Sequence, residues 1–368
     1  MTVEVRLQHR FVSFALDVDF AAGMGVSALF GPSGSGKTTV VNAVSGLLKP
    51  DTGRIVVDGD VLFDSSAGIC LPPWRRRIGY VFQDARLMPH LTVRQNLLFG
   101  RWLRRRDVAA AGAGAIALAH VVDVLDLAPL LGRRPGALSG GEKQRVGIGR
   151  ALLSCPRMLL MDEPLASLDH ARRLEVLDYL NRIRHALKLP VLYVTHSLDE
   201  VMRLADQVVL FKEGRTISQG APADVLNVHR DALDSAAESP GTVLETRIVA
   251  HDPRYGLTEL AVNGSDTVRL RVPRAGGEAG DACRIRVRER DVAIATSAPV
   301  DTSVLNVLRA RVATLRDLGD SVEVGATLLG DATGTTLRAR ITRFSADQLQ
   351  LTPGRDVYLL IKSVALTR

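Results

Sequence analysis

One eight-residue stretch, Gly31-Pro32-Ser33-Gly34-Ser35-Gly36-Lys37-Thr38, constrains this chain more than any other. It fits the spacing G-x-x-x-x-G-K-[ST], in which glycines let the backbone wrap its N–H groups around phosphate oxygens. A short apolar run, Val26 to Phe30, precedes it, and Thr38 to Leu48 reads as a helix. Strand, glycine loop and helix in that order point the positive end of the helix dipole at the bound phosphates. Lys37 then sets a cation against the β- and γ-phosphates, the Thr38 hydroxyl is placed to ligate Mg²⁺, and Thr39 extends the cradle.

A second element complements the first. Met158-Leu159-Leu160-Met161-Asp162-Glu163 is an apolar strand ending in two carboxylates. Side chains alternate along a strand, so neighbouring acids can take different tasks. Asp162 is the candidate to hold Mg²⁺ through water, and Glu163 the candidate base facing an attacking water. Two unpaired acids at the end of a buried strand are costly without such a use.

The surrounding chain reads as alternating strands and helices. Val3, Val5 and Leu7 alternate with polar residues as in a half-buried strand, and Arg54 to Leu62 has hairpin character around Asp58-Gly59. From Asp84 to Ala151 the pattern becomes mostly helical, Ala171 to Leu187 reads as a helix, and Val191 to Thr195 as a buried strand. This alternation argues for a parallel α/β sheet with a helical insertion. Beyond about residue 230 the texture changes to short β-like runs separated by Gly, Pro and Asp. There Val243–Ala250 resembles Val304–Val312, and Gly280–Val287 resembles Gly354–Ile361, a weak repeat expected of two small OB-type β modules. The expected division is 1–232, a linker 233–242, a first β module 243–300 and a second 301–368.

With 368 residues the chain exceeds a single typical core, and 46% hydrophobic with 24% charged residues is ordinary for a globular protein. The net charge of +7 permits anionic partners, but a basic surface with no specific task accounts for it equally well. Cys70, Cys155 and Cys283 are far apart and odd in number, which excludes a disulfide framework or a CxxC zinc site. Neither a signal peptide nor a membrane span is expected, because Met1 to Phe20 alternates and the Ala-rich run Val108 to Val122 is shorter than the ~20 residues a span needs.

Four further motifs make the chain resemble a known family. Leu138-Ser139-Gly140-Gly141-Glu142-Lys143-Gln144-Arg145 is similar to the signature of ABC ATPases, Ala166-Ser167-Leu168-Asp169 to their D-loop, and Thr195-His196 to their switch histidine. Gln83, in Tyr80-Val81-Phe82-Gln83-Asp84, is similar to the Q-loop glutamine. The resemblance covers about residues 1–230. It implies a P-loop NTPase domain with a helical subdomain, acting on ATP with Mg²⁺ held by Thr38, Gln83 and Asp162. It also implies Glu163 as base, His196 as γ-phosphate sensor, and a head-to-tail homodimer. In that dimer Ser139, Gly140 and Gly141 of one subunit face the nucleotide held by Gly31, Pro32, Ser33, Gly34, Ser35, Gly36, Lys37, Thr38 and Thr39 of the other. Phe11 is the candidate to stack on adenine, although no clear aromatic motif stands there. DNA-repair and translation members of the family carry a long coiled coil or two cassettes, and this chain has neither.

The rest of the chain refines the resemblance. Thr302–Ala310, Ala339–Ser345 and Ile361–Leu366 resemble the all-β Mop/TOBE fold, and Gly79–His90, Gly68–Leu71, Gly147–Leu153 and Leu192–Glu200 resemble the ATPases of molybdate importers. The implied assembly is two ATPase subunits at the cytoplasmic face of the bacterial inner membrane as peripheral proteins. They would join two transmembrane permease subunits through a groove around Gln83 to Leu98. A periplasmic molybdate-binding protein takes part indirectly, and no nucleic acid is involved. Arg75–Arg77 and Arg104–Arg106 read as solvated charge or as contacts to lipid headgroups. Sulfate, thiosulfate, tungstate or sugar importers with TOBE domains, and an oxyanion-sensing protein with secondary ATPase, stay open. By the resemblance, oxyanion ligands would be Ser303, Thr342, Ser345, Lys362 and Ser363. Leu305, in Ser303-Val304-Leu305-Asn306, stands where the family pattern has arginine, so weak or absent oxyanion binding is expected there.

Overall fold

The computed structural model describes residues 2–103, 116–166, 168–186, 189–229, 241–263, 265, 267–331, 333–362 and 364–366. The chain divides into two compact units, Met1–Val225 and Leu226–Arg368.

The first unit is built on one mixed sheet of eleven strands. Its centre is parallel: Gln207–Lys212, Gly25–Phe30, Pro190–Thr195, Met158–Asp162 and Ile78–Val81 lie side by side in that order. Met158–Asp162 and Pro190–Thr195 are buried along their whole length, as expected of strands covered on both faces. Antiparallel strands flank this centre. Val3–Arg10 pairs with Ala15–Ala22 and with Thr52–Val57, burying Val3, Val5 and Leu7 on one face. Thr52–Val57 turns back into Asp60–Asp64 through Asp58 and Gly59, both at positive φ, the conformation a two-residue hairpin needs. Helix Lys37–Ser45 follows the glycine loop and stops three residues earlier than its sequence pattern suggests, at Gly46 with φ 84°.

Helices Val93–Leu103, Leu118–Val124 and Gly140–Leu153 form the helical part, joined by single turns at Ala128–Leu130 and Pro135–Ala137. The stretch expected to be helical from Asp84 is extended or turn as far as Thr92. Leu97, Val121, Leu125 and Leu152 make its core, and Gly149 lets the helices close up, since a Cβ there would lie 2.7 Å from Leu97 Cδ2. Arg104–Arg106 lie outside the described residues. No helix among the described residues is long and apolar enough to cross a membrane.

In the second unit the sequence repeat appears as two five-stranded sheets. Each is centred on a twelve-residue strand, Gly241–Asp252 or Asn306–Asp317, with a bulge at Ile248–Ala250 or Val312–Thr314. The modules are not separate at residue 300. Ala365–Leu366 pairs into the first sheet and Val292–Ala295 into the second, so both sheets close over one shared core. Of the expected linker, Gly241 and Thr242 belong to the first long strand, and 233–240 lie outside the described residues.

Candidate active site

Parallel strands all end on the same edge of a sheet, and that edge is where open α/β sheets place their ligands. Here Phe30 leads into the glycine loop, Met161 into Asp162-Glu163, Val194 into Thr195-His196, and Val81 into Phe82-Gln83. The four sequence motifs are brought together by this topology.

Lys37 opens the helix behind the loop and is only 4% exposed. Its Nζ donates to Gly31 O at 2.8 Å, Pro32 O at 2.7 Å and Ser35 Oγ at 3.3 Å. Burial lowers its pKa, opposed by the charges of Glu163 and Asp162. Gly34 and Gly36, at φ 80° and 97°, allow the loop to curl around this ammonium. A buried cation in a glycine cradle at a helix N-terminus is a seat for phosphate.

Asp162 sits opposite. Its Oδ1 accepts from the Thr38 hydroxyl at 2.9 Å and its Oδ2 from the Tyr80 phenol at 3.3 Å. Burial raises its pKa, against the pull of the Thr38 hydroxyl. Thr38 and Asp162 together offer the hard oxygen pair that a Mg²⁺ ion takes. Glu163 follows with φ 43°, its N–H donating to Val194 O at 3.0 Å. That turn brings its Oε1 within 3.2 Å of His196 Nδ1. The strained backbone is held from the neighbouring strand, which is where such conformations persist.

Phe11, Phe14, Ser33, Gly34, Gly36, Lys37, Thr38, Thr39 and Glu163 line a cavity of about 430 Å³. Phe11 thus stands beside the loop, and Phe14, which the sequence reading did not single out, stands with it, their ring centroids 6.2 Å apart. Gln83 does not line this cavity; it is exposed in the bend after strand Ile78–Val81. Ser139, Gly140 and Gly141 do not line it either. Ser139 caps helix Gly140–Leu153 in a reciprocal capping box with Glu142, leaving the start of that helix as a second, separate anion-favouring end. Of the D-loop, Ser167 lies outside the described residues.

Two networks, the first of them buried, were not legible in the motifs. Glu200 accepts from Tyr193 OH at 2.9 Å and from Thr195 Oγ1 at 2.7 Å, while the Ser197 N–H donates to Thr195 Oγ1, so the chain on either side of His196 is pinned. Burial pushes the Glu200 carboxyl up. Gln144 donates to Phe82 O, and Arg150 to Ala85 O and Arg86 O, which ties the helix behind Ser139 to the bend carrying Gln83. In the second network the acceptors are backbone carbonyls, so residue types do not identify the partners.

In the second unit the described candidates for oxyanion ligands do not converge within one chain. Ser303 and Lys362 lie near the start of the long strand Asn306–Asp317, where Asn306 pairs with Ile361. Thr342 lies by its far end, where Asp317 pairs with Val322 and Ser321 with Thr342. Thr342 and Ser345 are engaged with each other, as the N-cap of helix Arg343–Gln348. Asn306 is buried and exchanges two hydrogen bonds with the Arg271 backbone, joining the two sheets. Leu305 is 57% exposed, and Ser363 lies outside the described residues.

Comparison with known proteins agrees with this architecture. Residues 15–166 match the family described as ABC transporter, and residues 302–367 the TOBE domain. The solved structure of cbiO1 from Clostridium perfringens, part of the ABC transporter complex cbiONQ, superposes with a TM-score of 0.52 at 28% identity, covering 61% of this chain and 90% of that one. The fold and its phosphate-loop site are those of an ABC transporter ATPase. Over the whole chain, the protein is 46% identical to the molybdenum import ATP-binding protein ModC of Mesorhizobium japonicum, covering 96% of that protein. It is also 46% identical to ModC 1 of Azotobacter vinelandii, with 99% of this chain and 98% of that one aligned. The chain belongs to the family of these ATP-binding import proteins.

Proposed function

We propose that this chain is the ATP-hydrolysing subunit of a bacterial molybdate importer. The observation that carries the reading is the match through both units, at 46% identity, to proteins named for molybdenum import. Two copies would pair head to tail, with residues 139–141 of one, which do not line its own phosphate-loop cavity, facing the nucleotide of the other. The pair would attach to two permease subunits at the cytoplasmic face of the inner membrane, near the bend that carries Gln83, and a periplasmic binding protein would deliver molybdate.

In this reading Lys37 binds the β- and γ-phosphates, and the loop amides orient them. Thr38 and Asp162 would hold Mg²⁺, with Gln83 reaching it from the bend; the ion, when bound, offsets phosphate charge. Glu163 accepts hydrogen-bonding from the attacking water and draws its proton, while His196, 3.2 Å from Glu163, fixes that carboxylate and meets the γ-phosphate. Catalysis here is positioning and charge stabilisation rather than covalent chemistry.

The test is uptake. The chain, its permease and binding protein are reconstituted in ATP-loaded vesicles, and entry of radiolabelled molybdate is measured with sulfate and tungstate as competitors. ATP-dependent molybdate entry that excess sulfate leaves unchanged is expected. Sulfate-sensitive entry, or entry without this subunit, refutes the assignment.

A further inference from the structure

Tyr80 lies on strand Ile78–Val81, two residues before Phe82, and is half-buried. Its phenol oxygen is 3.3 Å from Asp162 Oδ2 and 3.1 Å from Asn42 Oδ1 on helix Lys37–Ser45. A phenol carries one proton. A carboxylate draws it more strongly than a neutral amide oxygen does. The Asn42 amide, turned about its axis, then presents Nδ2–H to the phenol oxygen, so all three groups are satisfied. The other carboxylate oxygen of Asp162 takes the Thr38 hydroxyl at 2.9 Å. Both oxygens are thus held by neutral hydroxyl donors, one from the helix and one from the neighbouring strand. The ring itself is fixed from behind, stacked on Phe82 at 4.0 Å with planes 25° apart, and Arg86 covers the Phe82 ring at 4.2 Å.

A tyrosine placed only to fill space has no need of this geometry; phenylalanine would pack as well and bury no hydroxyl. We propose that Tyr80 is a positioning residue, fixing the plane of the Asp162 carboxylate for the metal that accompanies ATP. This rests on the reading of Thr38 and Asp162 as the metal-side oxygens. Partners one shell beyond a metal ligand orient it, and their loss typically costs about tenfold or more in metal affinity.

The test compares the full-length protein with Tyr80→Phe. Mn²⁺ binding is followed by electron paramagnetic resonance in the presence of the non-hydrolysable nucleotide AMP-PNP, and AMP-PNP affinity is measured separately in EDTA. Mn²⁺ affinity should fall about tenfold in Tyr80→Phe, with metal-free AMP-PNP affinity unchanged within about twofold. Equal Mn²⁺ affinities overturn the proposal. An equal loss of AMP-PNP affinity in EDTA overturns it too, because it marks a general loosening of the loop. If the wild-type protein itself shows no nucleotide-dependent Mn²⁺ binding, the reading of the metal side fails and takes the proposal with it. Should Tyr80→Phe not fold, Tyr80→Met fills the site without a hydroxyl, and unchanged Mn²⁺ affinity in that variant overturns the proposal equally.

Discussion

Glu163 adopts a left-handed backbone that costs a non-glycine residue of order 1–3 kcal/mol, and it spends that strain on aiming one carboxylate at His196. Glu163→Gln keeps the shape and the backbone bond to Val194 but removes the base. Steady-state ATPase should fall by at least about a hundredfold, while fluorescent-nucleotide titration shows ATP still bound. Turnover near wild type would remove Glu163 from the mechanism. Lys37 is the counterpart on the binding side. Its ammonium is buried and the loop is shaped around it, so Lys37→Ala should weaken ATP binding and abolish hydrolysis with an unchanged circular dichroism spectrum. Unaltered ATP affinity would contradict the role. At this scale the motif spacing picked out side chains that the fold gathers at one sheet edge, because phosphate chemistry demands particular residue types at fixed offsets. The hydrogen-bonding roles of Tyr80, Tyr193 and Thr195 were not legible there, because they depend on partners distant in the motif spacing.

Between elements, the least expected link is Arg76. It is 1% exposed, and its guanidinium donates to Leu71 O, Ala43 O and Val44 O, the last two at the carbonyl end of the helix that starts at Lys37. A cation there complements the helix dipole and adds a charged donor to the Val44 carbonyl and to that of Ala43, which the Gly46 N–H also reaches. Gly46 makes room, since a Cβ at that position would lie 2.7 Å from Arg76 Nε. Arg76 therefore anchors the phosphate-loop helix to the chain entering strand Ile78–Val81. Arg76→Met should lower unfolding free energy by about 2–4 kcal/mol, measured by urea denaturation, with Arg76→Lys losing less. A change under about 0.5 kcal/mol would show the contacts to be dispensable. In the sequence Arg75, Arg76 and Arg77 are one basic run. Only folding separates the buried arginine from its two exposed neighbours.

At the scale of the assembly, one prediction concerns the proposed composite nucleotide site and one the second unit. Mixing Lys37→Ala with Ser139→Arg subunits should restore part of the ATPase that each lacks alone, since a head-to-tail heterodimer has one site free of both changes. No recovery on mixing, with dimers present by light scattering, would count against the composite site. For the second unit, calorimetric titration of molybdate into the ATP-free full-length protein should show no binding at micromolar concentration, and Leu305→Arg should introduce it. The missing charge-assisted contact is worth about 1.5–3 kcal/mol, or roughly one to two orders of magnitude in affinity. Micromolar binding by the wild-type protein would reverse this conclusion.

Local chemistry is written in the chain itself. The glycine loop, the carboxylates at the end of an apolar strand, the Ser139 cap and the hairpin at Asp58-Gly59 depend on residues within a few positions of each other, where torsion preferences and alternation act directly. The repeat in the second half was visible for the same reason, as two similar strands each with its own bulge. What the tertiary structure decided involves partners far apart in sequence. It set the parallel strand order that gathers Lys37, Asp162, Glu163 and His196 on one edge. It exchanged Ala365–Leu366 and Val292–Ala295 between the two β modules, so that one core replaced two. It placed Ser303 and Lys362 away from Thr342 and Ser345, at opposite ends of a twelve-residue strand. Pairing between distant segments is chosen by the burial of whole faces, and no short window of sequence carries that sum.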